Sequence, residues 1–184
     1  MSVRFPFGSG PDTNISNIGA LEVVTGLTVA EFGNESTHKT VFTLAAMPAG
    51  SATGAAALGF GTLLYTFPAG ACLIKSSKID LALQGTGTVD ADTPDLGLGT
   101  VIASGVVSVL SGTATFENIL TGQTMNDCNA TAEVKSAKAT SSPFELVVET
   151  ADAHTLHLNI ADTWAGADDL LATGTITIEW AFIG

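Results

Sequence analysis

Ile176, Ile178, Trp180 and Phe182 alternate with Thr175, Thr177, Glu179 and Ala181 near the C-terminus, so every large apolar side chain falls on one face of a pleated strand. A helix turns once in about 3.6 residues and would scatter the same groups around its axis. The pattern recurs twice. Leu156, Leu158 and Ile160 stand against Thr155, His157 and Asn159, and Ile79, Leu81 and Leu83 stand against Lys78, Asp80 and Ala82. Further β-rich runs at residues 21–30, 40–46, 62–67, 71–75, 113–119 and 144–150 bring the expectation to eight or nine strands. Ala49-Gly50-Ser51, Pro68-Ala69-Gly70, Gly85-Thr86-Gly87, Ser111-Gly112 and Ser141-Ser142-Pro143 separate them with turn chemistry. Residues 118–128 and 162–171 hold at most a turn or two of helix each, too little to cover a sheet. A doubly wound α/β fold is therefore excluded, and the spacing points to a sandwich, jelly roll or barrel. Residues 85–99 read as a loop leading into a short edge strand.

The remaining features bound what such a β-domain does. A chain of 184 residues is one domain, or one domain with an arm. Six Lys and Arg face 18 Asp and Glu, a formal net charge of -12, so no extended cationic patch is available for a nucleic-acid backbone. Only 13% of residues are charged. Much of the surface is then weakly polar, and depletion of charge marks the cores of interfaces, so self-association is expected. The longest uncharged stretch, residues 40–74, is broken by Pro48 and Pro68 and does not suit a membrane span. The first residues contain no continuous apolar run of the kind that directs secretion, which leads us to expect synthesis in the cytoplasm. Cys72 and Cys128 are expected as free thiols, a single bridge being the alternative.

No motif names a reaction. Gly59-Phe60-Gly61, Gly85-Thr86-Gly87 and Gly97-Leu98-Gly99 lack the third glycine of a dinucleotide cradle, and no G-x-S-x-G elbow occurs. His38, His154 and His157 are the available imidazoles; the last two sit three apart, which on a strand points them to opposite faces, and they read as surface or rim residues. Asp90, Asp92 and Asp95 have the alternate spacing that hard cations favour, but Thr93-Pro94 breaks the EF-hand pattern, and a solvated acidic loop is expected. Asp168 and Asp169 read as solvating a turn. Trp180 and Tyr65 belong to the core, leaving Trp164 as the one candidate exposed ring. We therefore expect no catalytic, cofactor or metal site, no cofactor and no enzyme.

Residues 1–17 combine Arg4 with Phe5, Phe7, Pro6 and Pro11 among glycines, so they suit an extended arm rather than a regular element. Leaving the two Phe in water costs roughly 2 kcal/mol each. The division expected is an arm over residues 1–17 and a β-sandwich domain over 18–184. Val3, Arg4, Phe5 and Phe7 are the candidate protein-contact residues, the Arg meeting a carboxylate and the others entering apolar pockets of another subunit.

The segments Asp95-Leu-Gly-Leu-Gly-Thr-Val-Ile-Ala-Ser-Gly105 and Thr115-Phe-Glu-Asn-Ile-Leu-Thr-Gly-Gln123, together with the closing residues 174–184, give an acidic, Gly/Ala/Thr-rich β-domain with an irregular N-terminal arm. In this style the chain resembles the small decoration (cement) proteins on the heads of tailed bacteriophages. The resemblance implies a jelly-roll-like β-sandwich of about eight strands, often trimeric, that sits on the outer capsid surface of the virion and clamps neighbouring subunits of the major capsid protein. It transfers no site residue. An outer position agrees with the charge, since genome-facing proteins gain from cations. A virion receptor- or carbohydrate-binding domain and a single jelly-roll major capsid protein are the alternative expectations.

Overall fold

The computed structural model describes residues 3–5, 19–34, 37–50, 59–85, 94–103, 110, 115–125, 131–147, 154–161 and 169–183. Among them are eleven strands and no α-helix: β1 (Val3–Phe5), β2 (Ala20–Leu21), β3 (Leu27–Gly33), β4 (Thr37–Gly50), β5 (Phe60–Thr66), β6 (Ala71–Gly85), β7 (Asp95–Gly99), β8 (Leu120–Thr124), β9 (Thr131–Val147), β10 (Thr155–Ala161) and β11 (Leu170–Phe182). They form two sheets, ordered β1-β3-β4-β11-β6-β9 (sheet A) and β2-β5-β10-β7-β8 (sheet B).

The order follows from one winding rule. From β4 onward the chain pairs as a single long hairpin folded on itself, with β7 against β8, β6 against β9, β5 against β10 and β4 against β11, all antiparallel. Successive pairs alternate between the sheets, and β11–β6 and β10–β7 ladders complete them. Eight strands wound in this way are a jelly roll, and the fold is all-β and a β-sandwich. The three earlier strands extend its edges. β3 and β1 prolong sheet A beyond β4, with β1 parallel to β3, and β2 prolongs sheet B beyond β5.

The period-two residues line the space between the sheets. Phe42, Leu44, Ile79, Leu81, Leu83, Ile176, Ile178 and Trp180 from sheet A meet Leu64, Leu96, Leu98, Leu156, Leu158 and Ile160 from sheet B, all buried in one cluster. Sheet A keeps the alternation of a two-faced strand: on β6, Ile74, Ser77, Ile79, Leu81 and Leu83 are buried, while Lys75 and Lys78 are exposed. A bulge interrupts the β4–β11 ladder near Ala172 and Gly174. There Ala46 holds φ at 52°, and its N–H donates to Thr173 Oγ1 at 3.1 Å. Gly174, at φ 134°, lies so close to β6 that a Cβ would sit 2.2 Å from the Asp80 carbonyl oxygen.

Three local expectations are corrected. Residues 115–119 form turns and bends rather than a strand, and the strand starts at Leu120; of residues 118–128, where a helical turn was admitted, 120–124 form β8 and 126–128 lie outside the described residues. β7 is short, as expected, but is not at an edge: it lies between β10 and β8. Of residues 162–171, only Asp169, Leu170 and Leu171 lie within the described residues, and the last two open β11.

Candidate interaction surfaces and the buried polar groups

β10 breaks the pattern of a strand with one wet face, because all of its residues from Leu156 to Ala161 are buried. Leu156, Leu158 and Ile160 face the inter-sheet core, so His157, Asn159 and Ala161 face outward and are covered by something else. The cover is the connection between β7 and β8. Asn159 fastens it with a fully used amide: its Nδ2 donates to the Val101 carbonyl at 2.9 Å and to the Phe116 carbonyl at 2.8 Å, and its Oδ1 accepts from the Ala103 N–H at 2.9 Å. Ala103, Leu110 and Ala161 form a second small core there, with Phe116 packed against it. Thr100 and Asn118 close the base of the connection, the Thr100 N–H donating to Asn118 Oδ1 at 3.0 Å and Asn118 Nδ2 to Thr100 Oγ1 at 2.9 Å.

Glycines make the floor. A Cβ on Gly99 would lie 2.4 Å from the Phe116 backbone, and one on Gly61 would lie 2.5 Å from both Asn159 Oδ1 and Ile102. Backbone lies directly on backbone here, which only a residue without a side chain allows. The run Gly97-Leu98-Gly99, which binds no phosphate in the sequence reading, thus has a packing role. On the outside of the cover Val101 and Ile102 are 43% and 45% exposed.

His157 lies under the same cover. Thr155 Oγ1 donates to the Thr100 carbonyl at 3.0 Å, so its oxygen accepts from His157 Nε2 at 2.7 Å. That assigns the ring proton to Nε2 and leaves buried Nδ1 without a hydrogen-bond partner. Burial accordingly pushes the His157 pKa down.

A second polar group lies between the sheets. The His38 Nδ1–Glu31 Oε1 distance is 2.7 Å, both side chains being buried. Tyr65, from sheet B, donates its hydroxyl to Glu31 Oε2 at 2.9 Å and accepts from the Gly19 N–H at 2.7 Å. Burial first, then the adjacent Glu31 carboxylate, drives the Tyr65 pKa far above the ordinary phenol range. The Trp180 ring stacks on His38 with centroids 3.9 Å apart and donates from Nε1 to Thr40 Oγ1 at 2.9 Å. Glycine is needed at position 19, where a Cβ would fall 2.4 Å from the Tyr65 ring. These contacts join β3, β4, β5, β11 and the start of β2. His38 is therefore buried, with Glu31 as partner and the Trp180 ring against it, and His157 is buried with Thr155 as partner, contrary to the expectation of a surface or rim residue; His154 is half-buried.

Sequence reasoning missed Glu31. The inward phase of β3 runs Val29, Glu31, Gly33, so a carboxylate in step with a buried valine was the available signal, but the expected strand stopped at residue 30.

The candidate contact residues divide. Val3, Arg4 and Phe5 form β1, in register with Ala30, Glu31 and Phe32; Phe7 lies outside the described residues. Asp90, Asp92, Trp164, Asp168 and Cys128 also lie outside them. Asp95, at the start of β7, accepts from Thr124 Oγ1 at 2.8 Å. Among the described residues no three His, Cys, Asp or Glu side chains gather as metal ligands, and no helix is long and apolar enough to cross a membrane. Cys72 is a buried free thiol whose pKa burial pushes up to about 11.

All six cations of the chain, Arg4, Lys39, Lys75, Lys78, Lys135 and Lys138, stand on strands of sheet A. Sheet B strands carry none, and Asp95 is their one acidic residue. No protein-family model, curated protein or solved structure matches the chain.

Proposed function

We propose that this chain is a structural virion protein that decorates the outer surface of a capsid and stabilises contacts between major capsid subunits. The observation that carries the reading is the nested-hairpin jelly roll, an architecture that viral shell domains share with lectins and cupins. This is a fold-level analogy, and folds host many functions. Three features support it beside the fold. The buried polar groups are engaged in joining strands: Glu31, His38 and Tyr65 tie the two sheets, and Asn159 ties the cover to sheet B. The net charge of -12 suits a position away from the genome. The N-terminal residues Val3–Phe5 form a strand at a sheet edge, which suits an arm that adds to sheets.

The partners in this reading are the major capsid protein and further copies of the chain, as a homotrimer, with neither nucleic acid nor membrane bound directly. A mass-spectrometric inventory of purified particles tests it. A decoration protein is present in many copies, fewer than or comparable to the main shell protein, and a second, more abundant shell protein accompanies it. If this chain is itself the most abundant shell component, it is a major capsid protein. If only a few copies are present per particle, a receptor-binding role replaces decoration.

A further inference from the structure

Two of the three histidines are buried, and their surroundings differ in what would meet a second proton on the ring. His38 Nδ1 stands 2.7 Å from a Glu31 carboxylate oxygen, so a negative group faces that ring. His157 has only the neutral Thr155 hydroxyl, 2.7 Å from Nε2, and its Nδ1 is buried with no hydrogen-bond partner. A second proton on His157 therefore sits on Nδ1, a charged donor kept from water and facing no acceptor. Burying a charge without a partner is among the costliest things a fold can do.

The same ring is wired into the anchorage of the cover. Thr155, which accepts from His157, donates in turn to the carbonyl of Thr100, the residue at which the cover leaves β7. The Thr100 N–H donates to the Thr115 carbonyl at 3.0 Å and to Asn118 Oδ1 at 3.0 Å, and the Val101 N–H donates to the same Thr115 carbonyl at 3.3 Å. Gly99 is in register with His157 and lies directly against the backbone of Thr115 and Phe116. Two residues further along β10, Asn159 holds Val101, Ala103 and Phe116. His157 thus stands beside both ends of the cover, Thr100–Ala103 where it departs and Thr115–Asn118 where it returns.

No charge on the elements packed around the ring offsets a proton there. On β10 itself the other ionisable neighbour is His154, which precedes the strand. β5 carries only Tyr65, whose hydroxyl is on Glu31 between the sheets, and Glu22 follows β2 on the far side of β5. β7 carries Asp95, which is in register with Ala161, four residues or about 13 Å along β10, and accepts from Thr124. The whole sequence of the cover, residues 100–119, contains one titratable side chain, Glu117. Its carboxylate is turned to β8, where it accepts from the Gly122 N–H. Burial accordingly acts on His157 unopposed and favours the neutral ring.

We propose that His157 is an acid-sensitive latch on the cover: when its ring takes up a second proton, Thr100–Ala103 and Thr115–Asn118 release from sheet B and admit water to the ring, while the eight-strand winding stays folded. Release is local because the anchorage is small. It consists of the Asn159, Thr155 and Thr100 hydrogen bonds and the minor core of Ala103, Leu110 and Ala161, whereas the inter-sheet core lies on the other face of β10. The sign follows from linkage: the released state binds the proton at the free imidazole value of about 6.5 and the closed state only below it, so acid favours release. The inference is independent of the decoration role.

Amide hydrogen exchange of the full chain from pH 7.5 to pH 5.5 tests it, each rate being divided by the intrinsic rate at the same pH, together with an NMR titration of the His157 ring. The amides of Val101 and Ala103 report the cover, and those of Ile176 and Ile178 on β11 serve as the reference. In wild type, protection of Val101 and Ala103 is expected to fall roughly fivefold to tenfold over this range while β11 holds, and the ring is expected to titrate below 6.5. His157→Gln keeps a donor but takes up no proton, so its cover protection should not change with pH. Constant protection in wild type, a loss shared equally by β11, a ring that titrates at 6.5 or above, or the same pH-dependent loss in His157→Gln would each overturn the latch. Should His157→Gln leave the cover open already at pH 7.5, the wild-type exchange and ring titration decide by the same criteria.

Discussion

Glu31 is a single carboxylate on which both sheets depend. One oxygen meets His38 from the neighbouring strand and the other accepts the Tyr65 hydroxyl from across the core. Glu31→Ala leaves both partners buried without that acceptor, and a buried polar group stripped of its partner costs about 1–3 kcal/mol. The expected loss is on the order of 3 kcal/mol by urea denaturation, and a loss below about 1 kcal/mol would mean that water reaches the site. His157 supplies a pH dependence whose sign follows from its environment. The folded state favours neutral imidazole, so the unfolded chain binds more protons once pH falls below the free value of about 6.5. The contribution of His157 is complete above that value and is lost as pH falls through the depressed folded value. Stability measured from pH 8 to pH 5 should therefore drop less steeply in His157→Gln than in wild type; identical slopes would contradict the assignment.

The cover over sheet B is the element with the sharpest test. Asn159→Leu removes three hydrogen bonds at once and thrusts a branched side chain against Gly61 and Ile102. Hydrogen exchange at the amides of Val101, Ala103 and Ile119 should accelerate much more than exchange within β11, because the cover opens while the eight-strand winding persists. Uniform acceleration would show that the cover is integral to global folding. How legible these elements were depended on what sets their side chains. β11, β10 and β6 were visible because large apolar groups alternate on them, and burial between the sheets demands that alternation. The winding into an eight-strand jelly roll was approached through strand count and turn chemistry, but the pairing of β4 with β11 joins residues too far apart in sequence for local pattern to specify. The cover was not legible. Its signal is Gly97 and Gly99 at period two, which reads as weak strand until another backbone is known to lie there. The buried Glu31–His38–Tyr65 group was hidden for a related reason: its members sit on three strands, and each alone looks like an ordinary polar residue.

At the scale of the molecule, the N-terminal arm is the part whose removal separates folding from assembly. Deleting residues 1–17 leaves Gly19, which holds Tyr65, and among the described residues removes only β1 from the edge of sheet A. The shortened chain should melt within a few degrees of the full chain, since a three-residue edge strand contributes little, yet lose its hold on neighbouring subunits. Unimpaired attachment would move the contact to a strand edge or a loop, and loss of folding would mean that Phe5 and Phe7 belong to the domain's own core. The decoration role itself is tested by adding the purified full chain to otherwise complete capsids assembled without it, and measuring both the bound copy number and the temperature at which the shell opens. Saturation at a fixed ratio to the major capsid subunit, with the opening temperature raised, is the expected result. Failure of the chain to bind, or failure of any shell to assemble in its absence, would contradict a decorating role.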